Sequence, residues 1–447
     1  MKKILSMLLV FVMLVSTLSM LVSADFIYND DGSKTWTPTK SDWSAISKDG
    51  VVSRFIIGAD IHMDHYNSYA KLQATYDAAA KIGGVDALMI AGDLTHYGGD
   101  AEYAPLMENI NKNTAANAIN PNATGSSVGA TILSMGNHDF GHTPEYNGKR
   151  GPADFTRNTG LEACALYWVN GVPVIALSPS EGTRSPSQVE NGKEFGNNYD
   201  GRIEFVQQSY ATIDATGYTG PILVIAHHRT PAKDTSKYIS GSKERTEAYP
   251  NEILKAFQDH PSTIILTGHS HTWIGDTAEF IIQNNNGYTQ VRAGTLGNDY
   301  GETTGHINAT TGVKETGLKD YENDINCSAV LVDVMADGTT QLRALDIAKG
   351  EYIFDEVFTI DPADVDYYNT SANKAGTYSE GCQAPSFAAD AASKITVEDK
   401  GNNSTVKITF PEATPATTSA KDAIDYYFIE LKDANGNVVT NGVDSAS

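Results

Sequence analysis

Cysteine is scarce in this sequence. Its three copies, Cys164, Cys327 and Cys382, lie far apart, and none forms a Cys-x-x-Cys pair. That excludes the thiolate zinc sites and dithiol redox motifs recognised by close spacing. An oxidising destination would allow one disulfide and leave one thiol over, and spacing alone does not choose the pair. Positive charge is also short: 32 Lys and Arg stand against 55 Asp and Glu, a formal net charge of −23. Such a chain is not a general binder of nucleic acid or anionic lipid. To hold an anion it needs a local positive charge, such as bound metal ions. No self-similar period of roughly 20–50 residues runs through it, which excludes a repeat architecture. Past residue 24 no apolar run is long enough to span a bilayer.

The one long apolar run is N-terminal. Lys2 and Lys3 precede Ile4 to Val22, and Val22-Ser23-Ala24 supplies small residues at a cleavage point. Residues 1–24 therefore read as a signal peptide. The mature chain is expected to be secreted or extracellular, with no transmembrane domain. No Cys follows the run, which argues against lipid attachment there. The full 447 residues, 40% hydrophobic, leave room for two or three domains.

Residues 25–50 are polar and read as an irregular lead-in lying against the main domain, with Trp36 and Trp43 as packing anchors. From Val51 apolar runs alternate with helical periodicity, as in a layered α/β domain. Buried strands are expected at Val51 to Ile57, Ala87 to Ala91, Thr131 to Met135, Val172 to Leu177, Ile222 to Ala226 and Thr263 to Thr267. A helix after the first strand should bury Leu72, Tyr76, Ala79 and Ala80. Asp100 to Asn113, Arg202 to Asp214 and Glu252 to Phe257 also read as helical, and Gly141 to Leu161 as a loop. After His271 only strands are expected: Phe280 to Ile282, Gln290 to Ala293, Ala329 to Val334, Thr340 to Leu345 and Tyr352 to Ile360. This domain is bounded at 51–362, a linker follows at 363–386, and residues 387–447 read as an all-β module. That module resembles part of a fibronectin type III β-sandwich but has fewer strands than the roughly seven of a complete one. The sequence is therefore expected to stop inside it.

The chemistry sits where the strands end. Asp60-Ile61-His62, Gly92-Asp93, Gly136-Asn137-His138-Asp139, His227-His228 and Gly268-His269-Ser270-His271 each close a strand region. Strand ends are where open α/β sheets place their sites. Residues i and i+2 on an extended segment share a face, so Asp60 and His62 can grip one ion. Glycines before Asp93, Asn137 and His269 allow tight bends. Carboxylate, imidazole and amide together suit Zn, Mn or Fe better than Ca or Mg alone. Taken singly, each block is as readily a turn. All five in one order are not a coincidence of composition.

This order resembles the calcineurin-like metallophosphoesterase superfamily, over about Val51 to Ile360. The resemblance implies a four-layer α/β/β/α sandwich with a dinuclear centre of divalent or trivalent transition metals, Mn, Fe or Zn. It implies that Asp60, His62 and His271 hold one ion, that Asn137, His227 and His269 hold the other, and that Asp93 bridges them. His228 then lies beside the ligands, and His138 is a catalytic non-ligand that stabilises charge or protonates a leaving oxygen. Asp139 either orients His138 or belongs to the turn. The implied reaction is hydrolysis of a phosphomonoester or phosphodiester by a metal-bridging hydroxide, on a phosphorylated small molecule or nucleotide.

Arg229, two residues after His227, is the best candidate for a further phosphate contact. Lys149, Arg150, Arg157 and Arg184 read as solvated charge. His65, His96 and His142 could line the pocket, and Tyr66, Tyr97 and Tyr146 could stack a base or sugar. In the purple acid phosphatase branch a ligating Tyr would stand three residues after Asp93. His96 occupies that place, which counts against the branch. Two other readings remain open: a cell-surface binding protein with a degenerate metal domain, and a 5′-nucleotidase-type enzyme. The β module could also contact cell-wall polymer or glycan.

Overall fold

The computed structural model describes residues 26–28, 34–36, 44–63, 68–141, 150–180, 189–190, 193–194, 198–230, 248–271, 274, 281–282, 287–297, 327–348, 350–353, 357–361, 386–399, 406–416, 426–432 and 438–445. The expected signal segment, Trp43, His65, Tyr66, His142, Tyr146, Lys149, Arg184, Cys382 and nearly all of the linker lie outside these residues.

In chain order the main domain runs β1 (Val51–Gly58), α1 (Ser68–Lys81), β2 (Val85–Ala91), α2 (Asp100–Asn113), β3 (Val128–Ser134), α3 (Pro152–Thr159), β4 (Cys164–Val169), β5 (Val172–Leu177) and α4 (Ile203–Ala215). It continues with β6 (Ile222–Ala226), α5 (Asn251–Asp259), β7 (Thr263–Thr267), β8 (Ile281–Ile282), β9 (Thr289–Arg292), β10 (Ser328–Met335), β11 (Thr340–Asp346), β12 (Glu351–Tyr352) and β13 (Phe358–Ile360). These strands form two sheets. One has the order β12-β11-β10-β1-β2-β3, with β13 also on β11; the other has the order β8-β9-β7-β6-β5-β4. β1, β2 and β3 are mutually parallel, as are β5, β6, β7 and β9.

The strands are apolar on both faces, as buried parallel strands must be, and their alternation builds three cores. In β1, Phe55 and Ile57 enter the core between the sheets, where they meet Val174, Leu223 and Leu266 of the second sheet. Ile56 points the other way, toward Leu72 and Tyr76 of α1 and Leu106 of α2. In the second sheet Ile175, Val224 and Ile265 face Val206 and Ile213 of α4 and Phe257 of α5. Helices therefore cover the outer face of each sheet, giving the expected α/β/β/α layering.

Several sequence expectations are corrected. Ala80 is exposed, while Leu72, Tyr76 and Ala79 are buried. Residues 152–159, expected to be loop, form α3. Pro152 starts it, where a missing N–H costs nothing; the Asp154 carboxylate accepts the Gly151 N–H at 3.1 Å; and Gly160 ends it at φ 75°. β4 was not expected at all. It is an edge strand with Trp168 40% exposed, so it lacks the apolar run that marks the inner strands. The expected strand from Tyr352 to Ile360 is two short pieces, which pair with opposite ends of β11. The lead-in is not wholly irregular either, because Phe26–Tyr28 and Lys34–Trp36 pair as an antiparallel ladder.

The lead-in does reach the domain. Ile46 N donates to Ile82 O at 2.9 Å, and Arg54 donates to Ile46 O and Ser47 O while forming a buried two-point ion pair with Asp333. Cys164 and Cys327 are thiols, donating to Ser178 O and Leu296 O. Beyond residue 386 the chain is rich in strand. Thr396–Asp399 pairs with Val406–Thr409, and Tyr426–Lys432 with Val438–Ser445. Among the described residues these two ladders share no pairing. No helix among the described residues is long and apolar enough to cross a membrane.

Candidate metal centre

The five motif blocks follow β1, β2, β3, β6 and β7, all at the C-terminal ends of parallel strands. The loops there stay in register beyond the strands. Asp60 N donates to Gly92 O at 3.0 Å, His62 N to Asp93 O at 2.9 Å, and Gly268 N to His227 O at 3.1 Å. His269 N donates to both carboxylate oxygens of Asp60, at 3.0 Å each, tying the β7 loop to the β1 loop.

The backbone at these positions is unusual. Asp60, His62, Asp93, His269 and His271 all have positive φ, between 48° and 73°; among the described residues Asn170 is the only other non-glycine that does. Left-handed backbone is costly for most L-residues, and it clusters where a site dictates geometry. The motif glycines make room. A Cβ on Gly136 would overlap the Asp93 carboxylate and its N–H, and Gly92, at φ 83°, backs directly onto the His227 ring.

The candidate ligands fall into two groups, and ligand atoms of His62, His96 and His138 also lie within 4.8 Å of one another. Ligand atoms of Asp60, His62, Asp93 and His271 all lie within 4.8 Å of one another, and all four residues are buried. His62 Nε2 is 3.3 Å from His271 Nε2 and 3.7 Å from Asp93 Oδ2, and His271 Nε2 is 3.6 Å from Asp60 Oδ1. The second group gathers around Asn137. Its Oδ1 is 3.0 Å from both His227 Nε2 and His269 Nδ1, which are 3.1 Å apart. Asp93 Oδ2 lies between the groups, since it is also 3.2 Å from His227 Nε2. The other oxygen of Asp93 accepts the His138 N–H at 2.8 Å.

The donor set fits a cation. His227 Nδ1 lies 2.9 Å from Ala91 O, so it carries a proton and donates. In a neutral ring, Nε2 then aims its lone pair at two acceptors, Asn137 Oδ1 and Asp93 Oδ2. Asp93 Oδ2 is buried and accepts no hydrogen bond of sound geometry. Converging lone pairs with no proton between them repel, and a metal ion removes that repulsion. Without an ion, protons do part of the work. Burial opposes charge on His227, but the adjacent Asp93 carboxylate outweighs it and raises the ring to about 9. Burial pushes Asp60 up to about 8. Burial, then His138 and His271, hold His62 well below the usual imidazole range. Burial alone would raise Asp93, yet His227 and His138 bring it well below the usual carboxylate range.

The remaining sequence candidates divide. His138 is partly buried; its Nδ1 is 2.7 Å from His96 O, and its ring is 4.5 Å from that of His62. Asp139 does not orient His138. It accepts from Gly136 N, Leu94 N, Thr95 N, Thr95 Oγ1 and Tyr103 Oη, and so clamps the Asp93 loop to the Asn137 loop. Burial, followed by the Asp93 charge, pushes it up to about 6. His228 hydrogen-bonds Tyr199 Oη through Nδ1 at 3.3 Å and stands 4.6 Å, ring to ring, from His269. Arg229 is partly buried just past it. Arg150 and Arg157 are engaged elsewhere, in ion pairs with Asp100 and Asp154 on α2 and α3. Tyr97 is 37% exposed and meets His96 edge-on at 4.3 Å. The sequence places His96 among the residues that could line the pocket and leaves Asp139 between orienting His138 and a turn role; the clamp by Asp139 and the contacts of His96 with His62 and His138 are what it does not foretell.

The family model for calcineurin-like phosphoesterases matches residues 53–273. Among curated proteins none matches closely enough to count as a relative. Among the solved structures to which this chain is similar, two are matched at low similarity. One is GAP50, the anchor in the inner membrane complex of Plasmodium, at 10% identity and a TM-score of 0.38, covering 70% of this chain and 92% of that one. The other is a putative 5′-nucleotidase from Staphylococcus aureus in complex with alpha-ketoglutarate, at 16% identity and a TM-score of 0.37. That alignment covers 70% of this chain and spans 56% of the nucleotidase.

Proposed function

Residues 53–273 form a calcineurin-like phosphoesterase domain, and from that premise we propose that this chain is a metal-dependent hydrolase of phosphomonoesters or phosphodiesters. The observation that carries the reading is Asp93 Oδ2, buried without a hydrogen bond between His62 Nε2 and His227 Nε2. A carboxylate oxygen so placed suits a bridge between two cations.

In this reading Asp60, His62 and His271 would hold one transition-metal ion and Asn137, His227 and His269 the other, with Asp93 shared. When bound, such ions neutralise phosphoryl oxygens and activate a water at neutral pH. The chain's own residues do the rest. His227 keeps its Nδ1 proton on Ala91 O, which leaves Nε2 free to ligate. His138 commits Nδ1–H to His96 O, so Nε2 is the atom that gives a proton to the leaving oxygen or steadies its charge. Asp93 Oδ1 anchors the His138 backbone, so the bridge and the proton donor are fixed to one another. Arg229 is the proposed further contact to phosphate. Export through the 1–24 segment, and contact of the strand-rich C-terminal region with wall polymer or glycan, complete the proposal.

The test is a panel of monoesters, diesters and nucleotides offered to protein loaded with Mn, Zn or Fe. Turnover of an aryl phosphate or bis-aryl phosphate that a chelator abolishes is the expected result. Asp93→Ala should lose it. Full activity in that variant, or activity indifferent to chelation, overturns the reading.

A further inference from the structure

His96 belongs to none of the assigned roles, yet it touches two residues that do. Its Nδ1 is 3.2 Å from Nδ1 of His62, and its carbonyl oxygen is 2.7 Å from Nδ1 of His138. Its own N–H donates to Glu102 Oε1 at 2.9 Å. The same Glu102 carboxylate accepts from Tyr97 N and Gly99 N, and it sits in the first turn of α2. The neighbouring Thr95 N–H and hydroxyl are taken by Asp139. The segment carrying His96 is thus pinned at residues 94–97 and 99.

The proton count on His62 decides what His96 does. Nε2 of His62 faces His271 Nε2 and Asp93 Oδ2 and must keep a lone pair to ligate. Its one proton then sits on Nδ1, in a ring buried from solvent. A buried N–H needs an acceptor, and His96 Nδ1 stands in hydrogen-bond range. For His96 to accept there, its own proton must be on Nε2.

We propose that His96 is a positioning residue that accepts the His62 Nδ1 proton through its own Nδ1, fixing His62 in the tautomer that ligates through Nε2, while its carbonyl sets the ring of His138. One residue thereby couples the orientation of a metal ligand to that of the proton donor. A partner that fixes a ligating imidazole is worth about 10–100-fold in metal affinity. The inference rests on the two-ion reading above but is separable from it, because its measurements are of metal binding and tautomer rather than turnover.

The experiment compares wild type, His96→Ala and His96→Asn by calorimetric titration with Zn, with circular dichroism confirming that each variant folds. The carbonyl is retained in both variants. Asn carries an acceptor oxygen close to where the imidazole carries Nδ1. Wild type should bind two ions; His96→Ala should weaken one site about 10–100-fold and spare the other; His96→Asn should recover most of the loss. Nitrogen-15 shifts of the Zn-loaded wild type should show His62 protonated at Nδ1 and His96 at Nε2. Two undiminished sites in His96→Ala, no rescue by His96→Asn, the opposite tautomers, or a third ion lost with His96 would each overturn the proposal. A wild type that binds no metal would instead sink the two-ion centre itself.

Discussion

Arg54 and Asp333 are 279 residues apart in sequence and form a bidentate ion pair, Nε to Oδ1 at 2.7 Å and Nη2 to Oδ2 at 2.8 Å, with side chains 0% and 3% exposed. The pair joins β1 to β10, so it fastens the strand that leads into Asp60 to the late strands of the same sheet. Arg54 also donates to Ile46 O and Ser47 O, bringing the lead-in to the same point.

Breaking that pair on one side leaves a buried charge alone. Arg54→Met should therefore destabilise the domain by about 3–5 kcal/mol in chemical denaturation. Arg54→Met with Asp333→Leu should recover most of the loss, because the uncompensated carboxylate is gone. A single variant as stable as wild type would show that Asp333 finds another partner.

Asp139 offers a sharper dissection of the site. Its two oxygens accept from three backbone N–H groups, a threonine hydroxyl and a tyrosine hydroxyl. Asp139→Asn turns one acceptor into a donor facing donors. The expected cost is about 1–3 kcal/mol of stability, with weaker metal binding read by titration. His138 should stay hydrogen-bonded to His96 O, so activity at saturating metal should fall less than metal affinity does.

Metal loading should stabilise the fold, because the proposed ligands come from loops of both sheets. At free metal a hundredfold above Kd, one site adds about 2.7 kcal/mol. Thermal unfolding with added Mn or Zn should shift upward and return on chelation. Asp93→Ala should flatten the response.

Arg157 serves as the contrasting control. Its guanidinium is half exposed and occupied by Asp100 and Asp154, away from the ligand groups. Arg157→Gln should leave kcat and KM for an aryl phosphate unchanged. Arg229→Gln, measured alongside, should raise KM.

That the five motif blocks would meet was legible because each follows a strand run, and a parallel strand delivers its C-terminal end to the same edge whatever the connection. Helix α3 was not, because eight residues framed by Gly151-Pro152 and Gly160 carry more loop-forming than periodic signal. β4 escaped for the opposite reason: an edge strand is half-buried and needs no continuous apolar run. The contacts of Asp139 with Leu94 and Thr95, and of His96 with His62 and His138, span 34 to 45 residues of sequence. No local pattern encodes which backbone N–H a carboxylate will find, or which imidazole will face another. The left-handed backbone of the ligands was equally invisible, since nothing in Asp60-Ile61-His62 requires positive φ without the loops that hold it.

That backbone has a consequence for how this protein can change. Positive φ at Asp60, His62, Asp93, His269 and His271 costs non-glycine residues on the order of 1–3 kcal/mol each. Two of the five are also buried carboxylates. A glycine at any of these places relaxes the main chain and discards a proposed ligand in one step. On the proposed function, durability and turnover therefore pull against each other at the same few codons. Selection for a heat-resistant scaffold, with no test of chemistry, would erode these positions first and leave a sturdier protein that does nothing.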